Sequence, residues 1–325
     1  MRRTLLLLAK AAVSVGLLYL SLRWVNLDAL AERLQRLEPG WIVAALFFLS
    51  IQLVLLSVRW REITLCCGTD LKMAPALQFS VIAAFFNQVL PSTIGGDGVR
   101  LWLLARKGAG WAHATYSVLL DRFFGVFVLA LVVVVCLPWT LELIRDPVAR
   151  AVLLVLALGA IAGPSVLLLA GLWFRDQLER LPLTRYWSAA TDVAANLLRS
   201  CRSAAIVVGS STAIHLLTVA AAWCCTRAVA APVSFDHVLF LLPPVLLIAT
   251  VPISIAGWGV RESSMIAAFA YAGLAESDGL MLSVLFGAVS FVIGVFGGLV
   301  WIVSGSRAGV FGRTMTDREA ATGSP

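Results

Sequence analysis

Apolar runs alternate with short charged ones along this chain, and the length of each run decides what it can do. Thr4 to Leu22, Trp41 to Val58, His113 to Pro138, Val148 to Phe174, Ser203 to Ala228 and Leu280 to Val303 each approach or exceed the ~20 residues that carry a helix across a bilayer. Two other runs behave differently. Pro75 to Leu90 is marginal for a crossing, and only a short return, Leu101 to Ala105, precedes Arg106-Lys107. His237 to Tyr271 carries Pro243-Pro244 and is interrupted again further on. Both read as re-entrant hairpins of two half-helices. Arg59-Trp60-Arg61 is expected to close the second span at the interface. The polar stretch 175–202 is expected to be a surface segment, a helix lying along the membrane. Met1-Arg2-Arg3 gives a signal-peptide-like start, but Lys10 lies inside the run and no small-x-small site follows, so a retained first span is expected.

The interruptions themselves repeat. Pro91-Ser92-Thr93-Ile94-Gly95-Gly96-Asp97-Gly98-Val99-Arg100 has a counterpart in residues 252 to 261, so that Pro91/Pro252, Ile94/Ile255, Gly96/Gly257, Gly98/Gly259, Val99/Val260 and Arg100/Arg261 coincide at one offset of 161 residues. In each copy Pro and Gly, which break helices, end an apolar run just ahead of a cation. Such a pair of broken segments in corresponding halves points to a transport site. The same offset carries 41–58 onto 202–219, on the span starting at Ser203, and 114–138 onto 275–299, on the last span. The expected fold is an all-α polytopic membrane protein with about six full transmembrane helices plus two re-entrant broken-helix hairpins. Two inverted repeats are expected, 1–140 with its hairpin at about 75–107, and 141–305 with its hairpin at about 235–272, followed by a tail at 306–325.

Composition narrows the class. With 60% hydrophobic residues, 13% charged and a mean hydropathy of +0.93, the chain has too little charge to cover a soluble domain. The net charge of +7 therefore does not point to nucleic acid; the cations lie between spans, where they orient the chain. With the N-terminus inside, the inner segments hold 16 cations and the outer ones six, leaving Lys10, Arg122 and Arg261 aside. Both termini are then cytoplasmic, and the two hairpins enter from opposite sides. Six cysteines, with no CxxC pair and no Cys/His metal spacing, are expected to be apolar filler. No metal or cofactor is expected.

The candidate chemistry sits at the breaks. A broken helix exposes backbone N–H groups and a positive dipole end, and glycine lets a ligand approach closely. Gly95-Gly96 and Gly257-Trp258-Gly259 are candidate anion-binding ends with Arg100 and Arg261 behind them; alternatively the Pro and Gly only turn the chain. Asp97, whose counterpart is Trp258, and Glu262, whose counterpart is Leu101, break the symmetry. A carboxylate at membrane depth needs a partner or a role in moving protons or cations. Asp97 with Arg100 or Arg122, and Glu262 with Arg261, are the expected pairs. Asp121-Arg122 lies near the cytoplasmic end of its span, where Arg122 could pair with Asp97 or touch a phosphate. Asn87 is expected to cap freed backbone groups near Pro91, and Pro252 marks the second break. His215 is expected to be a satisfied interior residue.

Asn87, Pro91, Gly95-Gly96-Asp97 and Arg100, then Leu120-Asp121-Arg122, then Pro252, Gly257, Gly259, Arg261 and Glu262 together resemble the lysylphosphatidylglycerol synthase transmembrane-region family, also called flippase-like, over residues 5 to 305. The resemblance implies a multi-pass bacterial or archaeal inner-membrane protein that moves or handles lipids. About 20 residues follow the last span, so the aminoacyltransferase activity of bifunctional members is not expected here. The expected function is a lipid flippase or transporter for an anionic phospholipid or lipid-linked envelope precursor, with membrane lipids and lipid-synthesis enzymes as partners. The alternatives are a membrane enzyme such as a glycosyltransferase, against which stands the absence of Asp-x-Asp, and a non-catalytic scaffold.

Overall fold

A computed structural model describes residues 35–90, 95–173, 185–250 and 259–321, all of it helix and connecting turns. The helices are α1 Pro39–Cys66, α2 Met73–Val89, α3 Gly95–Leu104, α4 Trp111–Leu143, α5 Pro147–Trp173, α6 Arg185–Arg199, α7 Cys201–Ala228, α8 Phe235–Ala249, α9 Val260–Tyr271 and α10 Glu276–Ala321. Five of them, α1, α4, α5, α7 and α10, are long and apolar enough to cross a membrane. The expected first span, 4–22, lies outside the described residues, as does 174–184.

α2 and α8 are apolar but short, with 17 and 15 residues. At ~1.5 Å per residue they fall short of a ~30 Å hydrocarbon core. Each is followed, after its glycine-bearing break, by another short helix, α3 or α9.

Helix boundaries recur at the sequence offset. Adding 161 to α1 gives 200–227 against an observed Cys201–Ala228, and adding it to α2 gives 234–250 against Phe235–Ala249. The neighbours recur as well. α1 and α7 share the most extensive interface; α2 packs on α10 as α8 packs on α4; α3 packs on α4 as α9 packs on α10. α2 and α8 thus lean on the long helix of the other half, and α3 and α9 on that of their own. The apolar core lies where α1, α7, α8, α9 and α10 meet, around Ala45, Ala222, Leu242, Met265 and Phe269.

One expectation is corrected. α1 does not end near Val58 but runs on to Cys66, and Arg59 and Trp60 are buried against neighbouring helices instead of lying exposed at a helix end. The physical reason is that Ile63, Leu65 and Cys66 keep the helix apolar past the charged triplet, and Asp121 on α4 neutralises Arg59. With Arg59 and Arg100 buried, neither orients the chain, and 16 inner cations less these two leaves 14 against six.

Candidate functional site

Three helices bring five charges together. α3 supplies Asp97 and Arg100 one turn apart, α4 supplies Asp121 and Arg122, and α1 supplies Arg59. Arg100 donates to Asp97 Oδ1 at 2.5 Å and to Asp121 Oδ2 at 2.9 Å. Arg59 Nε donates to Asp121 Oδ1 at 2.7 Å, and its Nη1 to Ser211 Oγ of α7 at 3.2 Å. Arg122 Nε donates to Asp97 Oδ2. The order is Arg122, Asp97, Arg100, Asp121, Arg59, an alternating chain with three guanidiniums and two carboxylates, one more cation than anion among the described residues. Removing such charges from water is affordable only because each is paired.

The chain of charges is graded in exposure. The side chains of Arg100 and Asp121 are 4% and 2% exposed, while that of Arg122 is 36% exposed. Arg100 also lies 5.0 Å from the centre of the fully buried Trp60 ring, an arrangement that favours a cation. Trp60 Nε1 is held by Ser117 Oγ at 3.3 Å.

All five charges line a cavity of about 370 Å³, together with Gln52, Asn87, Gln88, Ser80 and His215. His215 Nε2 lies 3.0 Å from Gly125 O, the satisfied interior role. Asn87 Oδ1 accepts from Gly96 N–H at 2.9 Å, the capping role. Gly96 is needed for closeness, because a Cβ there would collide with Ala83 O and with the Asn87 side chain. The N–H expected to wait for an anion is therefore already bonded.

The second break is built differently. Gly259 has φ +86°, which favours glycine, and its N–H donates to Glu262 Oε2 at 2.6 Å. Arg261 donates to Glu262 Oε1 at 2.7 Å and to Ser283 Oγ of α10 at 2.8 Å, and Ser283 Oγ donates to Glu262 Oε1 at 2.9 Å. Glu262 is fully buried and Arg261 is 8% exposed. This network carries one cation against one anion. It does not line the cavity.

Of the residues singled out from the sequence, Asn87, Asp97, Arg100, Asp121 and Arg122 thus meet at one cavity. Gly95 and Gly96 open α3 beside it, while Gly259, Arg261 and Glu262 form a separate closed knot. Pro91, Pro252 and Gly257 lie outside the described residues. Arg59 was missed; the signal that could have found it is the run of apolar residues Ile63, Leu65 and Cys66 beyond it, which carries the helix past the arginine.

Beside the cavity runs a larger groove of about 760 Å³ between α4, α5 and α6, almost entirely apolar, and Arg122 and Val126 line both.

Membrane-length helices around paired interior charges define a multi-pass α-helical membrane protein with a charged internal cavity. The chain belongs to the lysylphosphatidylglycerol synthase TM region family, which matches residues 7–298. No significant match is found among curated proteins.

Proposed function

We propose that the protein is a lipid flippase or lipid transporter of the bacterial inner membrane, and that its ligand is the anionic headgroup of a phospholipid or lipid-linked envelope precursor. The observation that carries this reading is a cavity among membrane-length helices whose described charges are three cations to two anions, exposed chiefly at Arg122. A phosphodiester is the complement of that charge, since guanidinium forks match phosphate oxygens. Gln52, Asn87, Gln88 and His215 would hold the polar remainder of the headgroup. Membership of a family named for the membrane region of a lipid synthase supports a lipid-related role. The inverted-repeat reading supplies the mechanism: the two halves rock about the α1/α7 interface, and the closed Arg261–Glu262 knot acts as the barrier on the far side. Both termini are then cytoplasmic and the two hairpins face opposite sides. The protein acts as a carrier and not as a catalyst, next to enzymes that make its lipid.

Proteoliposomes loaded with nitrobenzoxadiazole-labelled phosphatidylglycerol test this by dithionite quenching. The parent protein is expected to expose the anionic lipid faster than empty vesicles and faster than a phosphatidylcholine analogue. Arg122→Gln is expected to slow it about tenfold, the worth of one charged hydrogen bond. Equal quenching with and without protein, for every anionic lipid tried, would sink the transport reading.

A further inference from the structure

The cavity and the groove meet at one side chain, and that junction says how a ligand arrives. Arg122 and Val126 belong to both linings, and of the network's three guanidiniums only that of Arg122 is substantially exposed, 36% against 6% for Arg59 and 4% for Arg100. Leu119, Phe123, Leu168 and Ala194 wall the groove, with Trp111 and Tyr116 toward the start of α4. Its volume is about twice that of the cavity.

We propose that this groove is the acyl-chain site and lateral portal of the substrate lipid, whose anionic headgroup turns inward at Arg122 while its tail stays between α4, α5 and α6. The proposal rests on the transport reading above and adds the path and the binding site. An apolar trough that ends at the most exposed guanidinium of the network has the polarity sequence of a lipid: hydrocarbon first, anion at its end. A protein helix laid in the same groove would have to bring a carboxylate to that one point. α6 forms the floor. Thr191, Ala194 and Leu197 are buried on one of its faces while Asn196, Leu198 and Arg199 are exposed on the other, and Ala194 and Leu197 join Ile63, Leu120 and Phe124 in an apolar cluster. The start of α4, the end of α5 and α6 lie on the side that the cation census assigns to the cytoplasm, so the portal opens in the inner leaflet.

Phosphatidylglycerol carrying a diazirine midway along one acyl chain, photolysed in proteoliposomes and mapped by peptide mass spectrometry, tests the site. Label is expected to concentrate on 111–126, 164–168 and 190–194 and to be displaced by unlabelled phosphatidylglycerol but not by phosphatidylcholine. Arg122→Gln should abolish that headgroup preference, and Arg122→Lys should keep part of it. Leu119→Trp, which projects into the groove, should remove the label and slow translocation about tenfold, with Leu168→Trp as a second filling variant and thermal melting checked for both. Label spread evenly over lipid-facing helices, or blind to headgroup charge, overturns the proposal even where vesicles translocate lipid. An unlabelled groove does the same and gives it to a protein segment. Headgroup-selective label without translocation keeps the lipid site and removes the transport reading instead.

Discussion

Asp121 and Arg122 are neighbours in sequence with opposite structural fates. Asp121 is buried between Arg59 and Arg100, so Asp121→Asn leaves two interior guanidiniums without their shared counter-charge. Thermal melting in detergent should show a loss of roughly 3–5 kcal/mol, the cost of breaking a buried pair. Arg122 is half-buried, so Arg122→Gln should leave the melting temperature nearly unchanged while transport falls. A variant pair that loses stability and transport in parallel would contradict this division. Asp97, Arg100, Asp121 and Arg122 were legible in the sequence because ionisable groups inside apolar runs are rare and must find one another. Arg59 was not, because Arg-Trp-Arg at the end of an apolar run has the look of an interfacial anchor. Only the apolar positions one turn later, Ile63 and Cys66, reveal that the helix continues.

The short helices depend on how their starts are satisfied. α3 is tied to α2 through Asn87 Oδ1 and Gly96 N–H, and α9 is capped by its own Glu262. Asn87→Ala should cost roughly 0.5–2 kcal/mol, as loss of a cap does. Gly259→Ala should cost about 1–2 kcal/mol from the left-handed backbone alone. Both are read by melting, and a neutral Gly259→Ala would mean that this turn relaxes freely. That α2 and α8 are short was legible from the length of the apolar run ahead of each glycine-bearing break. The asymmetry of the two starts was legible only in part. Asp97 and Glu262 stand at non-equivalent positions in the repeat, but which N–H each break would leave open depends on side chains folding back from other turns, and no spacing encodes that.

At the scale of the molecule, helices recur at the 161-residue spacing, and α2 and α8 each rest on the long helix of the other half. If the halves are inverted, the connection after α3 and the turn after α9 face opposite sides. In a Cys201→Ser background, cysteine at Lys107 should be shielded from an impermeant maleimide in intact cells while cysteine at Gly273 reacts. Labelling of both from outside would rule out the inverted arrangement. The lengths of the spans made the membrane class legible at once, whereas the course of α6 against α1, α4, α5 and α7 was hidden in a stretch that reads only as polar. The uneven count of three arginines to two aspartates has an electrical consequence. In the proposed transport the residues stay within the bundle, so the charge that would cross is the ligand's own. A monoanion leaving a cell whose interior is negative moves down the voltage, gaining ~2.3 kcal/mol for every 100 mV. A potassium gradient with valinomycin should therefore speed or stall the lipid according to its sign, and resting polarisation alone would supply the drive for export.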